Sequence, residues 1–217
     1  MRRVLLGTPT YDGNLSAFYV DSLLHTIKLA AEEEVEIMPF FICYDALVQR
    51  ARNDIVKVAV EAEVDDLIFI DADIMWNPED FFKLLKAPAD VIGGIYPKKS
   101  DDPQFAVKVL SPMIDIVDGL IEVECIGTGF LRVSSIALNQ LWDTAEEYNN
   151  SGKSSRMVFD IKIIEGELYS EDNILCRKWR DLGGQVFVDP YAQCKHVGVK
   201  VYTNNFMEFL EAHSVRT

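Results

Sequence analysis

A short apolar segment that ends abruptly in two carboxylates constrains the fold of this 217-residue chain more than any other feature. Residues 67–70 are all apolar, and Asp71 and Asp73 follow at once. A continuous apolar run of this length is typical of a strand buried on both faces, as in the parallel sheet of an α/β protein. Because side chains alternate along an extended segment, we expect the two aspartates on the same side, at the carboxyl end of the strand.

The position of this acidic pair suggests a metal site. Open α/β sheets bind ligands at the carboxyl ends of their strands, and two carboxylates there suit Mg²⁺ or Mn²⁺. The alternative is structural, since aspartate is common in the turn that follows a strand. The motif Asp71-Ala72-Asp73 is too short to decide between the two.

A helix start follows the acidic pair. Asn77 and Pro78 have the pattern of an N-cap and a first helical residue, so a helix is predicted to begin at Pro78. Glu79 and Asp80 are then best explained as first-turn charges that favour the helix amino terminus, rather than as further metal ligands.

Composition favours one α/β domain over residues 1–217. The chain is 49% hydrophobic, no segment has the composition of a linker, and its formal net charge is −14. That charge disfavours nucleic acid as a partner, because binding to a polyphosphate backbone draws on clustered lysine and arginine. A small phosphate-bearing ligand is compatible with it if a cation screens the phosphates.

The amino terminus and the cysteines predict a cytoplasmic protein without a membrane span. Apolar residues 4–6 give way to Gly7 and a Thr-Pro-Thr sequence too soon for a signal peptide or a membrane helix. The four cysteines show no C-x-x-C spacing, so free thiols are expected rather than a zinc site or disulfides.

Two segments of the amino-terminal half are candidates for nucleotide contacts. The loop after the first strand, residues 7–13, offers hydroxyls and amides to a base or ribose, or forms a simple turn. Its candidate binding residues are Thr8, Pro9, Thr10 and Tyr11. A helix predicted over residues 46–62 carries a polar stripe that either faces a nucleotide or is an ordinary solvated face. The stripe consists of Arg50, Asn53 and Lys57. Between these segments, a helix is predicted over residues 15–30, with Phe18, Leu23, Leu24 and Ile27 as core candidates.

The second half of the chain adds further polar candidates. Lys98 follows a strand predicted over Val91–Ile95 and lies in a plausible substrate-contacting loop. The segment Gly127-Thr128-Gly129 permits close backbone approach to a ligand, or serves a tight turn.

Two acids and a histidine follow later in the chain. Glu171 and Asp172 precede a helical pattern, where they are either helix-start charges or supply a general base. His196 comes after a predicted strand, and is either a structural histidine or completes a metal site.

Four landmarks, taken together and in this order, resemble those of a GT-A glycosyltransferase. They are Asp71-Ala72-Asp73, Gly127-Thr128-Gly129-Phe130, Glu171-Asp172 and His196. The similarity spans most of residues 3–198. It is greatest to the short, single-domain, family-2-like enzymes of phages, large viruses of the Chlorella-virus type, and bacteria. The resemblance implies a GT-A α/β fold, with a mostly parallel central sheet flanked by helices.

The resemblance also implies roles for the candidate residues. Asp73 and His196 would coordinate Mn²⁺ or Mg²⁺, and Asp71 would contact the ribose or a metal-bound water. Asp172 or Glu171 would be the catalytic base. The remaining candidates would hold the nucleotide and the sugar: Thr8, Pro9, Thr10, Tyr11, Arg50, Asn53, Ala72, Lys98, Gly127, Thr128 and Gly129.

The implied activity is an inverting transfer of a sugar from a nucleotide diphosphate donor, with UDP as the first expectation, to the hydroxyl of a glycan or another acceptor. A Q-x-x-R-W pattern after the base is absent, with only Arg177-Lys178-Trp179-Arg180 nearby, which argues against a processive polysaccharide synthase. Two alternatives stay open: a nucleotidyltransferase, and a noncatalytic module that binds sugar nucleotides or glycans.

Overall fold

The structure of the protein is a computed structural model that describes residues 1–100 and 104–199. Its helices are α1 (Ala17–Ala30), α2 (Val48–Glu61), α3 (Pro78–Lys86), α4 (Ser135–Thr144) and α5 (Glu171–Asp181). Its strands are β1 (Arg2–Thr10), β2 (Val35–Cys43), β3 (Asp66–Ile70), β4 (Ile74–Met75), β5 (Val91–Ile95), β6 (Val107–Val109), β7 (Ile121–Ile126), β8 (Phe130–Ser134), β9 (Glu147–Asn150), β10 (Lys153–Arg156), β11 (Lys162–Ile164), β12 (Glu167–Tyr169), β13 (Val186–Gln193) and β14 (Lys195–His196).

Eight of these strands form one central sheet in the order β2-β1-β3-β8-β5-β13-β7-β6. The pairing directions show that β8 and β7 run opposite to the other six, so the sheet is mostly parallel in strand direction. The mixed sheet flanked by helices confirms the expected α/β class. The carboxyl ends of β1, β3, β5 and β13 therefore meet at one edge of the sheet.

Strand β3 lies in the middle of the core, as its apolar sequence predicts. All five of its residues are buried. Leu67 and Phe69 pack with residues of α2, α4 and α5 in one apolar cluster, whereas Ile68 and Ile70 pack with α1 and α3 in a second cluster. The alternation of side chains along the strand thus supplies both faces of the sheet.

The start of α3 agrees with the sequence pattern. The helix begins at Pro78, and the Asn77 side chain accepts a hydrogen bond from the backbone N–H of Glu79. Strand β5 also has the bounds predicted for it.

The core face of α1 differs from the prediction. Of the four apolar candidates, Leu23 alone is buried, whereas Phe18, Leu24 and Ile27 are exposed. The helix instead turns a partly polar face inward toward the Trp76 indole, which donates a hydrogen bond to Thr26 Oγ1 at 2.9 Å. Apolar spacing alone misses a face that is held by hydrogen bonds to a tryptophan.

No helix in the described ranges has both the length and the apolar character needed to cross a membrane.

Candidate functional site

A cavity of about 600 Å³ lies at the edge of the sheet where the carboxyl ends of the parallel strands meet. Its volume falls in the range typical of small-molecule sites, roughly 300–1,000 Å³. Several predicted site residues line it together: Pro9, Thr10, Tyr11, Asp71, Ala72 and Asp73. Strand β1 extends to Thr10, so residues 7–10, which were predicted in a loop, belong to the end of this strand. The structure therefore brings the end of β1, the turn after it and the acidic motif to one site.

The acidic motif forms a turn rather than an extended segment. Strand β3 ends at Ile70, and the backbone N–H of Ile74 donates to the carbonyl oxygen of Asp71 at 3.0 Å. The expectation of an extended segment through Asp71 and Asp73 is therefore wrong, although both residues line the cavity. In a turn the two carboxylates face different partners, and each has its own set of contacts.

Asp71 is paired with a buried arginine. Arg52 Nη2 lies 2.9 Å from Asp71 Oδ1, and Arg52 Nη1 donates to Glu171 Oε1 at the start of α5. The Arg52 side chain is 6% exposed, and its Cζ lies 5.9 Å from the centre of the Phe159 ring. Although burial alone would lower the pKa of this guanidinium, the Asp71 and Glu171 carboxylates raise it overall. Arg52 thus joins the end of β3 to the start of α5.

Asp73 has different neighbours. Lys99 Nζ lies 2.5 Å from Asp73 Oδ2, and His196 Nε2 lies 3.5 Å from the same oxygen. The histidine reaches this position because β14 pairs with β4, with His196 opposite Ile74. The backbone N–H of Val197 also donates to the carbonyl oxygen of Asp73 at 2.8 Å.

The ring of His196 has a defined orientation. Its Nδ1 lies 2.9 Å from the carbonyl oxygen of Pro97, which can only accept, so Nδ1 carries a proton. Nε2 is therefore the atom turned toward Asp73. The Tyr96 ring packs edge-on against the imidazole, with 5.6 Å between ring centres. Burial, followed by the Asp71 charge, raises the pKa of the Tyr96 hydroxyl.

The predicted metal set of Asp71, Asp73 and His196 is not assembled. Within the described ranges, no group of three His, Cys, Asp or Glu side chains is arranged to hold a metal ion. The physical reason is the turn, which directs Asp71 Oδ1 to Arg52 and leaves Asp73 next to His196. A carboxylate oxygen facing an imidazole nitrogen is nevertheless a donor pair that fits a divalent ion with further ligands from phosphate and water.

The glycine segment lies behind the site rather than in the cavity lining. Gly127, Thr128 and Gly129 are all buried. A Cβ added at Gly127 would lie 2.2 Å from Tyr96 Oη, and one at Gly129 would lie 2.7 Å from Tyr96 Cζ. The backbone N–H of Gly129 donates to Tyr96 Oη at 3.0 Å. The glycines thus make room for the tyrosine that packs against His196.

Other predicted binding residues lie outside the cavity. Thr8 is fully buried, with Oγ1 at 2.6 Å from Tyr19 Oη. Asn53 is also fully buried, and its side-chain amide exchanges two hydrogen bonds with the backbone of Phe159. Arg50 is paired with Asp45, and the hydrogen bond from Arg50 holds the pKa of the Asp45 carboxyl below its usual range. The expected polar stripe therefore does not face the cavity.

Sequence reasoning missed the residues next to two of its candidates. Arg52 lines the cavity where Asn53 was the candidate, and Lys99 lines it where Lys98 was the candidate. The sequence gives only a weak signal that Arg52 belongs to the site. Residues 51 and 55 are apolar, and helical spacing places residue 52 beside them, at the edge of the predicted core face. A cation near an apolar helix face is nevertheless a signal for a buried ion pair, since charged residues are almost never fully buried without a partner.

The two acids at the start of α5 have separate environments. Glu171 accepts from Arg52, whereas Asp172 Oδ1 accepts from the Ser170 hydroxyl and from the backbone N–H of Asn173 at 2.7 Å. Among the described hydrogen bonds and ion pairs, none involves Asp172 Oδ2. Neither acid is among the described residues that line the cavity, and Glu171 is linked to it through Arg52.

We expect Arg52→Met to lower the free energy of unfolding by about 2–4 kcal/mol, because it leaves the Asp71 and Glu171 carboxylates without their shared cation. Denaturant titration measures the loss. The matched control is Arg50→Met, which breaks a more exposed pair on the same helix and should cost at most about 1 kcal/mol. Equal losses for the two variants would show that the buried arginine has no special structural role.

Comparison with known proteins supports the fold. No protein-family model matches the sequence, and no curated protein is similar to it in sequence. Among solved structures, A197 from STIV has a TM-score of 0.57 at 17% identity, over 92% of this chain and 87% of that one. A point mutant of Drosophila β-1,4-galactosyltransferase 7, solved with manganese, UDP-Gal and xylobiose, has a TM-score of 0.55 at 13% identity. The match covers 100% of this chain and 82% of that one.

A weaker similarity, with a TM-score of 0.47 at 12% identity over 100% and 98% of the two chains, is to the inositol-1-phosphate CTP transferase from T. maritima. That TM-score is too low to carry an argument about the reaction. Identities in this range establish the fold alone. The architecture, the sheet and the overlap with a solved glycosyltransferase confirm the expected GT-A fold.

Proposed function

We propose that this protein transfers a hexose or pentose from a nucleotide diphosphate sugar to an acceptor hydroxyl, with UDP as the first candidate nucleotide and a glycan as the first candidate acceptor. The observation that carries the proposal is the pairing of Asp73 with His196 Nε2 beside a nucleotide-sized cavity. Carboxylates and imidazoles are the protein groups that hold a divalent ion against phosphate oxygens.

The charge of the cavity supports a requirement for a metal ion. Its lining contains four carboxylates and two cations among the described residues: Asp12, Asp45, Asp71, Asp73, Arg52 and Lys99. One of the cations, Arg52, is already shared between two carboxylates. A diphosphate entering this lining would be repelled unless a further positive charge came with it. A nitrogen ligand from His196 favours Mn²⁺ over Mg²⁺, which prefers oxygen.

Two groups of residues at the cavity would have separate tasks. Asp73 and His196 would hold the divalent ion, which when bound would stabilise the charge on the departing nucleoside diphosphate. Pro9 and Thr10 at the end of β1, with Tyr11 in the turn after it, would hold the base and ribose. A hydrogen bond that Thr10 Oγ1 donates to the carbonyl oxygen of Asn14, at 2.9 Å, links the end of β1 to the turn that follows it.

Asp172 is the proposed general base. Its Oδ1 is held by helix-start hydrogen bonds, which leaves Oδ2 to take the proton of the acceptor hydroxyl. The deprotonated oxygen would attack the anomeric carbon in line with the departing diphosphate, so that the configuration inverts. Glu171 would keep the start of α5 against Arg52 instead of acting as the base.

A nucleotidyltransferase is the main alternative reaction. The end of β1 and the turn after it, residues 7–13, contain no arginine or lysine that would bind a triphosphate, and they contribute Asp12 to the cavity lining. This composition favours a diphosphate donor held through a metal ion. Nucleic acid is disfavoured as an acceptor by the formal net charge of −14.

Turnover distinguishes these reactions. With Mn²⁺ and a panel of UDP-, GDP- and dTDP-sugars, we expect release of a nucleoside diphosphate. The Asp73→Asn variant should release it at least about 100-fold more slowly than wild type. Asp143→Asn, on the exposed side of α4, removes the same charge away from the cavity and should retain full turnover. Release of pyrophosphate from a nucleoside triphosphate and a sugar phosphate would favour the nucleotidyltransferase instead.

A further inference from the structure

One carboxylate oxygen at the site is shared by a lysine and a histidine. Asp73 Oδ2 lies 2.5 Å from Lys99 Nζ and 3.5 Å from His196 Nε2. The Lys99 stem lies along the chain after β14, since a Cβ added at Gly198 would lie 3.2 Å from Lys99 Cδ. The ammonium is therefore seated between Asp73 and the segment that carries His196, and it lines the cavity.

This position has a consequence for any divalent ion bound at Asp73. The ion would need the carboxylate oxygen that the Lys99 ammonium already contacts. Two cations at contact distance from one oxygen repel each other, and the pair here is partly exposed, with side-chain exposures of 45% for Lys99 and 39% for Asp73. An ion pair of that exposure is weak enough for a divalent ion to displace.

We propose that Lys99 is a resident counterion that competes with the divalent ion for Asp73 and, once displaced, pairs with the diphosphate of the donor. The inference rests on the proposed metal site at Asp73. The displaced ammonium would remain at the cavity wall, where the donor phosphates are the new negative charges. Metal and diphosphate would then bind cooperatively, because the diphosphate gives the displaced lysine a partner.

This exchange couples the binding of the metal to the binding of the nucleotide. Without a nucleotide, binding of the metal leaves the Lys99 ammonium unpaired, so the metal binds weakly. With a nucleotide diphosphate, both cations have partners, so the metal binds tightly. The coupling is reciprocal, and the metal must tighten nucleotide binding by the same factor.

Equilibrium binding of Mn²⁺ to the otherwise metal-free protein tests the exchange, with free Mn²⁺ measured by electron paramagnetic resonance. We compare wild type, Lys99→Met and Lys98→Met, each with and without UDP. Lys98→Met is a matched control, because Lys98 is the adjacent exposed lysine and does not line the cavity. Methionine keeps an apolar stem of similar length in both variants.

Lys99→Met is expected to bind Mn²⁺ about three- to tenfold more tightly than wild type without UDP, since it loses a competing charge. Its UDP effect on Mn²⁺ binding should also be smaller than that of wild type, because the direct contact between metal and diphosphate remains and only the contribution of Lys99 is lost. Lys98→Met should follow wild type in both respects.

The outcomes separate this inference from the proposed function. Absence of Mn²⁺ binding in wild type and in both variants, even with UDP, would overturn the metal site itself. Wild-type binding that Lys99→Met leaves unchanged, or changes only as much as Lys98→Met does, would overturn the competition. Tighter Mn²⁺ binding in Lys99→Met with an unaltered UDP effect would overturn the transfer of Lys99 to the diphosphate.

Discussion

Asp172→Asn should lower kcat by about 100- to 10,000-fold, the range typical of a lost general base. The amide oxygen of asparagine still accepts the hydrogen bonds that Ser170 and Asn173 donate to Oδ1, so the start of α5 should keep its structure. The amide nitrogen cannot take a proton from the acceptor hydroxyl, so the chemical step alone is lost. Initial rates at saturating donor and acceptor measure the effect.

Three controls make this result specific. The unfolding midpoint of Asp172→Asn and its Mn²⁺-dependent affinity for the nucleotide should match those of wild type. Glu171→Gln should retain more turnover than Asp172→Asn, because Glu171 is engaged by Arg52. If Glu171→Gln loses the activity and Asp172→Asn keeps more than a tenth of it, the base is Glu171 and not Asp172.

Asp66→Ala should cost about 3–5 kcal/mol in the free energy of unfolding, the range expected when one partner of a buried ion pair is removed. Asp66 is fully buried at the start of β3. Its Oδ2 accepts from Arg2 Nε at 2.5 Å, and its Oδ1 accepts from Arg132 Nε at 2.6 Å. One carboxylate therefore links β1, β3 and β8, and its removal leaves the buried Arg132 without its counterion.

The preceding residue provides the control for this prediction. Asp65 is exposed and accepts one hydrogen bond from the backbone N–H of Arg3 at 2.7 Å. Asp65→Ala should cost no more than about 1 kcal/mol, as is usual for surface substitutions. Denaturant titration of both variants decides the matter, and similar losses would show that the buried carboxylate contributes no more than a surface one.

The sequence predicts the framework of this fold well, because the framework depends on local patterns. The run of apolar residues ending at Ile70 is a buried strand, and Asn77 with Pro78 starts a helix. The acids Glu171 and Asp172 begin α5. In each case the signal lies within a few neighbouring residues, where burial on both faces or helix capping leaves a clear pattern.

The details of the site are less predictable, because they depend on contacts between distant segments. Arg52 and Glu171 are separated by 119 positions in the chain. Spacing on α2 gives a polar stripe through Asn53, yet tertiary packing buries Asn53 and turns Arg52 to the cavity. An error of one residue on a helix rotates the side chain by about 100°.

The acidic motif shows the same limit. The residues of a D-x-D motif are readily found in a sequence, but the turn closed by the hydrogen bond from Ile74 to Asp71 is not. Asp71 then pairs with Arg52, and Asp73 meets His196 through the short β4–β14 pairing. That pairing joins residues more than a hundred positions apart, which no local pattern in the sequence indicates.

Calorimetric titration of the wild-type protein with UDP, GDP and dTDP tests the central claim most directly, once in excess Mn²⁺ and once in EDTA. We predict that one of the three, with UDP the first candidate, binds in Mn²⁺ and that its binding is lost in EDTA. Equal affinity in EDTA, or no binding of any of the three in Mn²⁺, would contradict a metal-dependent transfer from a nucleotide diphosphate sugar.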